Sequence, residues 1–161
     1  MNRRPRTPHR METSHSSKVR CETPAVYELV EHTADIGILV SGSSVEEVFA
    51  KAAVALADLQ FDPSLVERRR KLAVVLEDAD GERLLVRWLN ELIVLRETRD
   101  FLWTAVEVEL TRGSRLSALL EGETFDEARH VPRMGVKAAT YHQLRLEQTV
   151  AGVGARVIFD V

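Results

Sequence analysis

The sequence is poor in cysteine, because Cys21 is the single cysteine among 161 residues. One cysteine can close no internal disulfide and can build no thiolate metal cluster. No apolar run approaches the roughly 20 residues that cross a bilayer. The basic first residues lead into no apolar segment of the secretory type. These absences predict a cytoplasmic protein with no membrane partner.

The sequence also lacks an excess of charge of one sign. It has 22 Lys and Arg against 25 Asp and Glu, a net charge of -3, so it carries no overall basic footprint for nucleic acid. The motifs GxxxxGK[ST], GxGxxG, GxSxG and HExxH are absent, which excludes the nucleotide-binding and hydrolase classes that these motifs define. A hydrophobic content of 45% with 29% charged residues is typical of a globular domain.

The charge is unevenly distributed along the chain. Residues 1–24 carry a net charge of +4, and residues 25–161 carry -7. A basic segment with so few apolar residues cannot bury enough surface to offset the entropy of ordering. We therefore predict a disordered basic tail over residues 1–24 and one domain over residues 25–161. The alternative is a translation start placed too far upstream, since Met11 could begin a shorter chain.

Two segments have the apolar periodicity of amphipathic helices. Ser44 and Glu47 form a capping-box pattern ahead of the first, which we expect to end before Pro63. The second runs from about Asp80 to about Glu97, with an apolar stripe wide enough to lie on a sheet.

Strand signals fill most of the remaining domain. The predicted strands are Val26–Val30, Ile36–Ser41, Lys71–Leu76, Leu102–Leu110, Arg115–Glu121, Val136–Glu147 and Arg156–Val161. Strands and helices do not alternate strictly, and several strands follow one another at the end of the chain. This order predicts an α+β fold with two layers: a mainly antiparallel sheet with two helices packed on one face.

Acidic groups at the ends of predicted strands are the first candidates for chemistry. Asp35 precedes one strand, and Asp160 ends the last; in a chain that ends at Val161, the α-carboxylate lies one residue further on. Anions this close repel unless a cation lies between them, and three such carboxylates suit Ca²⁺, Mg²⁺ or Mn²⁺. Alternatively, Asp35 caps a turn, the terminus is frayed, and Asp160 pairs with Arg156 or Lys137.

Basic side chains near strand ends are further candidates. His32, His130 and His142 could act as metal ligands or acid–base groups, or could simply form hydrogen bonds at strand ends. Lys137 stands in an apolar stretch, where a desolvated lysine needs an anion. That anion could be a carboxylate of this chain, such as Asp160, a phosphate, or a carboxylate of a partner.

Four segments together resemble the archease family. They are YELVEHTADIG at 27–37, SVEEVF at 44–49, VKAATYH at 136–142 and VIFDV at 157–161. The resemblance covers about residues 26–161, in the same order, and the combination of HTADIG with VKAATYH and a final Asp-Val is specific.

The resemblance implies an accessory protein rather than an enzyme. Archeases activate RtcB-type RNA ligases in tRNA splicing or RNA repair, where they promote loading of GMP onto the ligase and multiple turnover. The implied metal ligands are Asp35, Asp160 and the carboxylate of Val161. His32, Lys137 and His142 match motif positions, as contacts to the partner or groups around the metal site. Contact with RNA would be indirect.

Two other functions remain open from the residues themselves. One is a small metal-dependent hydrolase in which Asp35 and Asp160 bind the metal and His142 acts as base. The other is a chaperone-like or RNA-binding module that uses the basic tail, with salt-sensitive binding.

Overall fold

The computed structural model describes residues 18–31 and 34–161, and these residues form an α+β fold. The elements in chain order are β1 (Val19–Glu22), β2 (Glu28–Glu31), β3 (Asp35–Gly42), α1 (Val45–Gln60), a 3₁₀ turn (Pro63–Leu65), β4 (Arg70–Glu77), α2 (Gly81–Arg99), β5 (Phe101–Thr111), β6 (Arg115–Thr124), β7 (Ala138–Thr149) and β8 (Gly152–Asp160). In this part of the chain no helix combines the length and apolar character needed to cross a membrane.

The strands form two four-stranded sheets in the described part of the chain. The first has the order β1-β5-β6-β4 and the second the order β2-β3-β8-β7, with antiparallel pairing throughout. Helix α1 packs against β1 and β5 of the first sheet and β3 of the second, while α2 packs against β7 and β4. The predicted α+β class, antiparallel pairing and two helices are confirmed. The division of the strands into two sheets is a feature that the strand pattern did not predict.

Helix α1 is buried on most of its surface because strands of both sheets contact it. Small side chains allow this close approach; the fully buried alanines are Ala50, Ala52, Ala53, Ala55 and Ala57. The buried indoles of Trp88 and Trp103 donate N–H hydrogen bonds to the carbonyl oxygens of Phe49 (3.0 Å) and Ala53 (2.8 Å). A buried indole N–H needs such a partner. These two bonds hold α1 in the centre of the core.

At residues 18–24 the structure differs from the predicted disordered tail. Strand β1 lies here and pairs with β5 at the edge of the first sheet. Its Cys21 packs against the core, and on the other face Arg20 donates to the Glu121 carboxylate at 2.7 Å. A strand of four residues is too short for its alternating pattern to be recognised in the sequence. Pairing with β5, which lies far along the chain, gives these residues their structure. Residues 1–17 lie outside the described part.

Helix α1 begins at the predicted cap. The Ser44 hydroxyl accepts a hydrogen bond from the Glu47 amide at 3.2 Å. The Glu47 carboxylate accepts from both the hydroxyl and the amide of Ser43 at 2.7 Å, and pairs with Lys51 at 3.0 Å. These hydrogen bonds, first from the Ser43 hydroxyl, then from its amide and from Lys51, lower the pKa of Glu47 to about 2. The carboxylate form is therefore the stabilising one.

Glu47→Gln is expected to reduce the free energy of unfolding by about 1 kcal/mol at neutral pH, the usual value of a helix cap. Because the folded pKa lies below the ordinary 4.5, this stabilisation is present above pH 4.5 and is lost as the pH falls toward about 2. Urea unfolding of both proteins across this range measures the difference. Glu46→Gln removes the same charge from the same turn and serves as the control; an equal effect there would contradict a specific cap.

Candidate metal centre

Two carboxylates lie side by side on the second sheet. Asp35 is the first residue of β3 and Asp160 is the last residue of β8, and the antiparallel register pairs them directly. Directly paired residues have Cα atoms about 4.5–5.5 Å apart and side chains on the same face. The structure thus brings together two acidic residues that come from opposite ends of the domain.

The alternation of the two strands explains why both carboxylates face outward. Ile36 and Ile38 of β3 pack toward the core, as do Val157 and Phe159 of β8. Since side chains alternate along a strand, Asp35 and Asp160 lie on the opposite, outer face. Asp160 is exposed and Asp35 is half-buried.

The surface next to the carboxylates is apolar and closely packed. Ile158 is 2% exposed and lies over Gly37, which it faces across the two strands. A Cβ added at Gly37 would lie 2.7 Å from Ile158 Cδ1, so a larger residue there would require this methyl group to move. Ile158 lies two residues before Asp160 on the same face of β8, so the outer face of the sheet is apolar on this side of the carboxylate pair.

The paired carboxylates have no protein counter-ion within the described ranges. No Lys, Arg or His lies within 4.0 Å of either carboxylate there, and neither side chain forms a hydrogen bond. Arg156 instead donates to Gln143 at 2.6 Å. The alternative in which Asp160 pairs with Arg156 or Lys137 is therefore wrong. Like charges directly opposite each other destabilise a strand pair, which a bound cation would relieve.

Lys137 lies next to Asp160 through its backbone. Its amide donates to the Asp160 carbonyl at 2.9 Å, and the following residue, Ala138, is paired with Asp160 in the β7–β8 register. The Lys137 side chain itself is exposed. The expectation of a desolvated lysine that requires an anion is therefore wrong, because water solvates the ammonium group.

The candidate histidines have different positions. His142 is exposed, and the β7 residue paired with Asp160 is Ala138 rather than His142. It lies in the irregular part of β7, where the pairing with β8 shifts between Thr140 and Arg145. The structure does not bring it to the carboxylate pair. His32 lies outside the described residues.

His130 has a structural role. Its Nδ1 accepts a hydrogen bond from the Asp126 amide at 2.8 Å, and its Nε2 contacts the buried carboxylate of Glu123, which Arg129 also contacts. Burial by itself raises the pKa of Glu123, but the hydrogen bonds from Arg129 and His130 outweigh it, so the pKa lies below its ordinary value. Both ring nitrogens are in use, which leaves none for a metal or substrate.

The carboxylate pair fits a divalent cation as an open, incomplete site. In the described segments no group of three or more His, Cys, Asp or Glu side chains gathers to hold a metal. Val161 follows Asp160 and is 38% exposed; in a chain that ends there, its α-carboxylate would be the third ligand that the resemblance implies. Because Ca²⁺ takes about six to eight oxygens and Mg²⁺ about six, most positions would remain for water or a partner's oxygens.

A divalent cation is expected to raise the melting temperature of the full-length chain. At about 100 times the dissociation constant, the gain is about 2.7 kcal/mol, or about 5–10 °C for a domain of this size. Asp35→Asn should abolish this shift and should melt at the same or a higher temperature without cation, because it removes the repulsion with Asp160. Differential scanning calorimetry with and without chelator measures both effects. An equal cation shift in the variant would exclude the site.

Comparison with known proteins places the chain in a family. The family model for the Archease protein family (MTH1598/TM1083) matches residues 27–161. Protein archease of Methanosarcina mazei is 39% identical over 139 residues, which cover 84% of this chain and 95% of that protein. Protein archease of Pyrobaculum calidifontis is 41% identical over 132 residues, which cover 80% and 90%.

Solved structures agree with this result. The solution structure of Methanobacterium thermoautotrophicum protein 1598 matches with a TM-score of 0.66 at 32% identity, covering 84% of this chain and 98% of that one. The crystal structure of an archease, possible chaperone, from Thermotoga maritima has a TM-score of 0.58 at 20% identity and covers 82% and 94%, a likeness of fold alone. From the family model, the close relatives and the shared fold, we conclude that this chain belongs to the archease family.

Proposed function

We propose that this protein is an accessory factor that activates an RtcB-type RNA ligase in the cytoplasm, in tRNA splicing or RNA repair. Membership of the archease family supports the proposal, because the resemblance of this chain to that family includes the segments that contain Asp35 and Asp160. The observation that carries it is the direct pairing of these two carboxylates on the outer face of the second sheet, where Asp160 is exposed and Asp35 is half-buried. A partner protein can reach groups in this position.

In this proposal Asp35 and Asp160 hold a divalent cation, Ca²⁺, Mg²⁺ or Mn²⁺, with the α-carboxylate of Val161 as a third ligand in a chain that ends there. The cation would neutralise negative charge on the phosphate groups during transfer of GMP to the ligase. The backbone bond from Lys137 holds Asp160 in position, and the buried Ile158 makes the neighbouring surface apolar. Activation would then come from favouring the competent arrangement of metal ions at the ligase, and not from a nucleophile on this chain.

The state of the cysteine also favours an activator over an enzyme. The Cys21 thiol is half-buried in β1, and burial raises its pKa, so at neutral pH it is a protonated thiol rather than a nucleophile. His142, the candidate base of a hydrolase, is exposed in the irregular part of β7 and lies within 4.0 Å of neither the Asp35 nor the Asp160 carboxylate. A general base must reach its proton within about 3 Å.

The proposal is tested by labelling the cognate ligase with radioactive GTP. We expect the rate of ligase guanylylation and the number of RNA joining cycles to rise when this protein is added in catalytic, substoichiometric amounts. The protein alone should take up no label and should turn over no phosphoester. An unchanged labelling rate, or phosphoester hydrolysis by the purified protein alone, would contradict the proposal.

A further inference from the structure

Two arginines face each other on the outer face of the second sheet. The β7–β8 register pairs Arg145 directly with Arg156. Arg156 lies four residues before Asp160 on the same face of β8, about 13 Å away along the strand. Like charges directly opposite each other are unfavourable in an antiparallel pair unless an anion lies between them. This location is separate from the carboxylate pair.

The hydrogen-bonding capacity of Arg156 is incompletely satisfied. The side chain is half-buried, and one terminal nitrogen donates to the Gln143 side-chain oxygen at 2.6 Å. Its Nε is buried and has no hydrogen-bond partner. Among residues 18–31 and 34–161, no carboxylate lies within 4.0 Å of the Arg145 or Arg156 guanidinium. A charged group in this state needs a counter-ion, and the described chain does not supply one.

A cavity of about 320 Å³ lies over these arginines. Arg145 and Arg156 line it together with Glu147 and Gly154, and the remaining lining residues are apolar: Leu39, Val40 and Ala155. Gly154 leaves its floor open, because an added Cβ would meet no atom closer than 3.6 Å, at Thr149 Cγ2. The charged residues that line the cavity are one glutamate and two arginines, so its net charge is positive.

We propose that Arg145 and Arg156 form a binding site for a phosphate group. The planar guanidinium donates two parallel N–H bonds to phosphate oxygens, and two arginines together match the charge of a phosphate better than that of a single carboxylate. A phosphate in this cavity accepts from the guanidinium N–H groups that Gln143 leaves free and removes the repulsion between the pair. The site is independent of the proposed metal centre. Its ligand is a free nucleotide or a phosphodiester of an RNA strand, which share this chemistry.

Calorimetric titration of the full-length protein with inorganic phosphate, at constant ionic strength in chloride, tests the site. Arg145→Gln and Arg156→Gln are each expected to weaken phosphate binding by about tenfold or more, since each removes one of two charge-assisted contacts. Arg115→Gln is the matched control: it removes the same charge from the first sheet, where Arg115 pairs with Glu77 at 3.0 Å. Binding by this variant should equal that of the wild type.

A second variant leaves the arginines in place. Gly154→Val fills the floor of the cavity without a change of charge and should also abolish phosphate binding, with the fold checked by circular dichroism. Competition with GTP and with a single-stranded RNA 12-mer then shows whether the site binds a free nucleotide or an RNA strand. The ligand class assigned to the site is the one that displaces phosphate at the lower concentration. That ligand should fail to displace phosphate from the arginine variants. Every protein compared contains the basic tail, residues 1–24, so any phosphate binding by the tail is the same in each titration.

Three results would overturn the proposal. They are the absence of phosphate binding above the chloride background, equal binding by wild type and both arginine variants, and binding of an acidic peptide that phosphate does not displace. Failure of the ligase-labelling experiment has no bearing on these titrations, which contain no ligase.

Discussion

Asp160→Ala is expected to abolish the stimulation of ligase guanylylation, so that the labelling rate returns to that of the ligase alone. Substitution of residues that only support the metal ligands typically reduces the metal affinity by about 10- to 100-fold. Loss of a ligand itself should reduce the metal affinity further. Asp35→Ala should have the same effect, because the two carboxylates are directly paired. The free energy of unfolding without cation should be unchanged or higher, since a repulsive contact is lost.

The measurement is the initial rate of GMP labelling with each variant at catalytic amounts. Glu28→Ala is the matched control: it removes one exposed carboxylate from the same sheet, at a position paired with Leu39 rather than with an acid. Full stimulation by the Asp35 and Asp160 variants would contradict the proposed metal role. In a chain that ends at Val161, residues appended after it should also reduce stimulation, because they replace the α-carboxylate with a neutral carbonyl.

Gly122→Ala is expected to destabilise the fold by about 4 kcal/mol or more, a large part of the stability of a typical domain. Gly122 is buried in β6, opposite the point where the pairing with β5 is irregular, between Trp103 and Ala105. An added Cβ would lie 1.7 Å from the Leu102 carbonyl oxygen and 2.8 Å from the Trp103 Cα. These are backbone atoms, which cannot rotate away, so the strands must separate.

Urea unfolding followed by circular dichroism measures this effect. Gly135→Ala is the control, because a Cβ there meets no atom within 4 Å, and its free energy of unfolding should change by less than about 0.5 kcal/mol. A cooperative Gly122→Ala transition that coincides with the wild type would show that β5 and β6 do not approach this closely.

Local sequence rules predicted the helices well. The capping residue Ser44 and the proline at position 63 act within one helical turn, and α1 begins and ends where they indicate. The second helix extends two residues beyond the predicted Glu97, to Arg99, with Asp80 as its cap. These signals are strong because their partners lie three or four residues away in the chain.

Long-range pairing was not predictable in the same way. Strand β1 is ordered by β5, which lies far along the chain, and the two-sheet arrangement depends on how α1 packs between β5 and β3. The register shifts within β7 between Thr140 and Arg145, so counting residues from the β7–β8 turn reaches the Arg145–Arg156 pair but does not give the pairing of Ala138 with Asp160. No local pattern contains this information.

The sequence by itself determined the residue types available for function: Asp35 and Asp160 at strand ends, a family-specific set of motifs, and two helices with defined ends. Only the tertiary structure decided which of these residues meet. The β3–β8 register pairs the two aspartates, whereas Lys137 is exposed to solvent and His142 lies in the irregular part of the edge strand β7. The physical reason is that register is set by burial of the alternating apolar face over the whole sheet, which no short segment of sequence specifies.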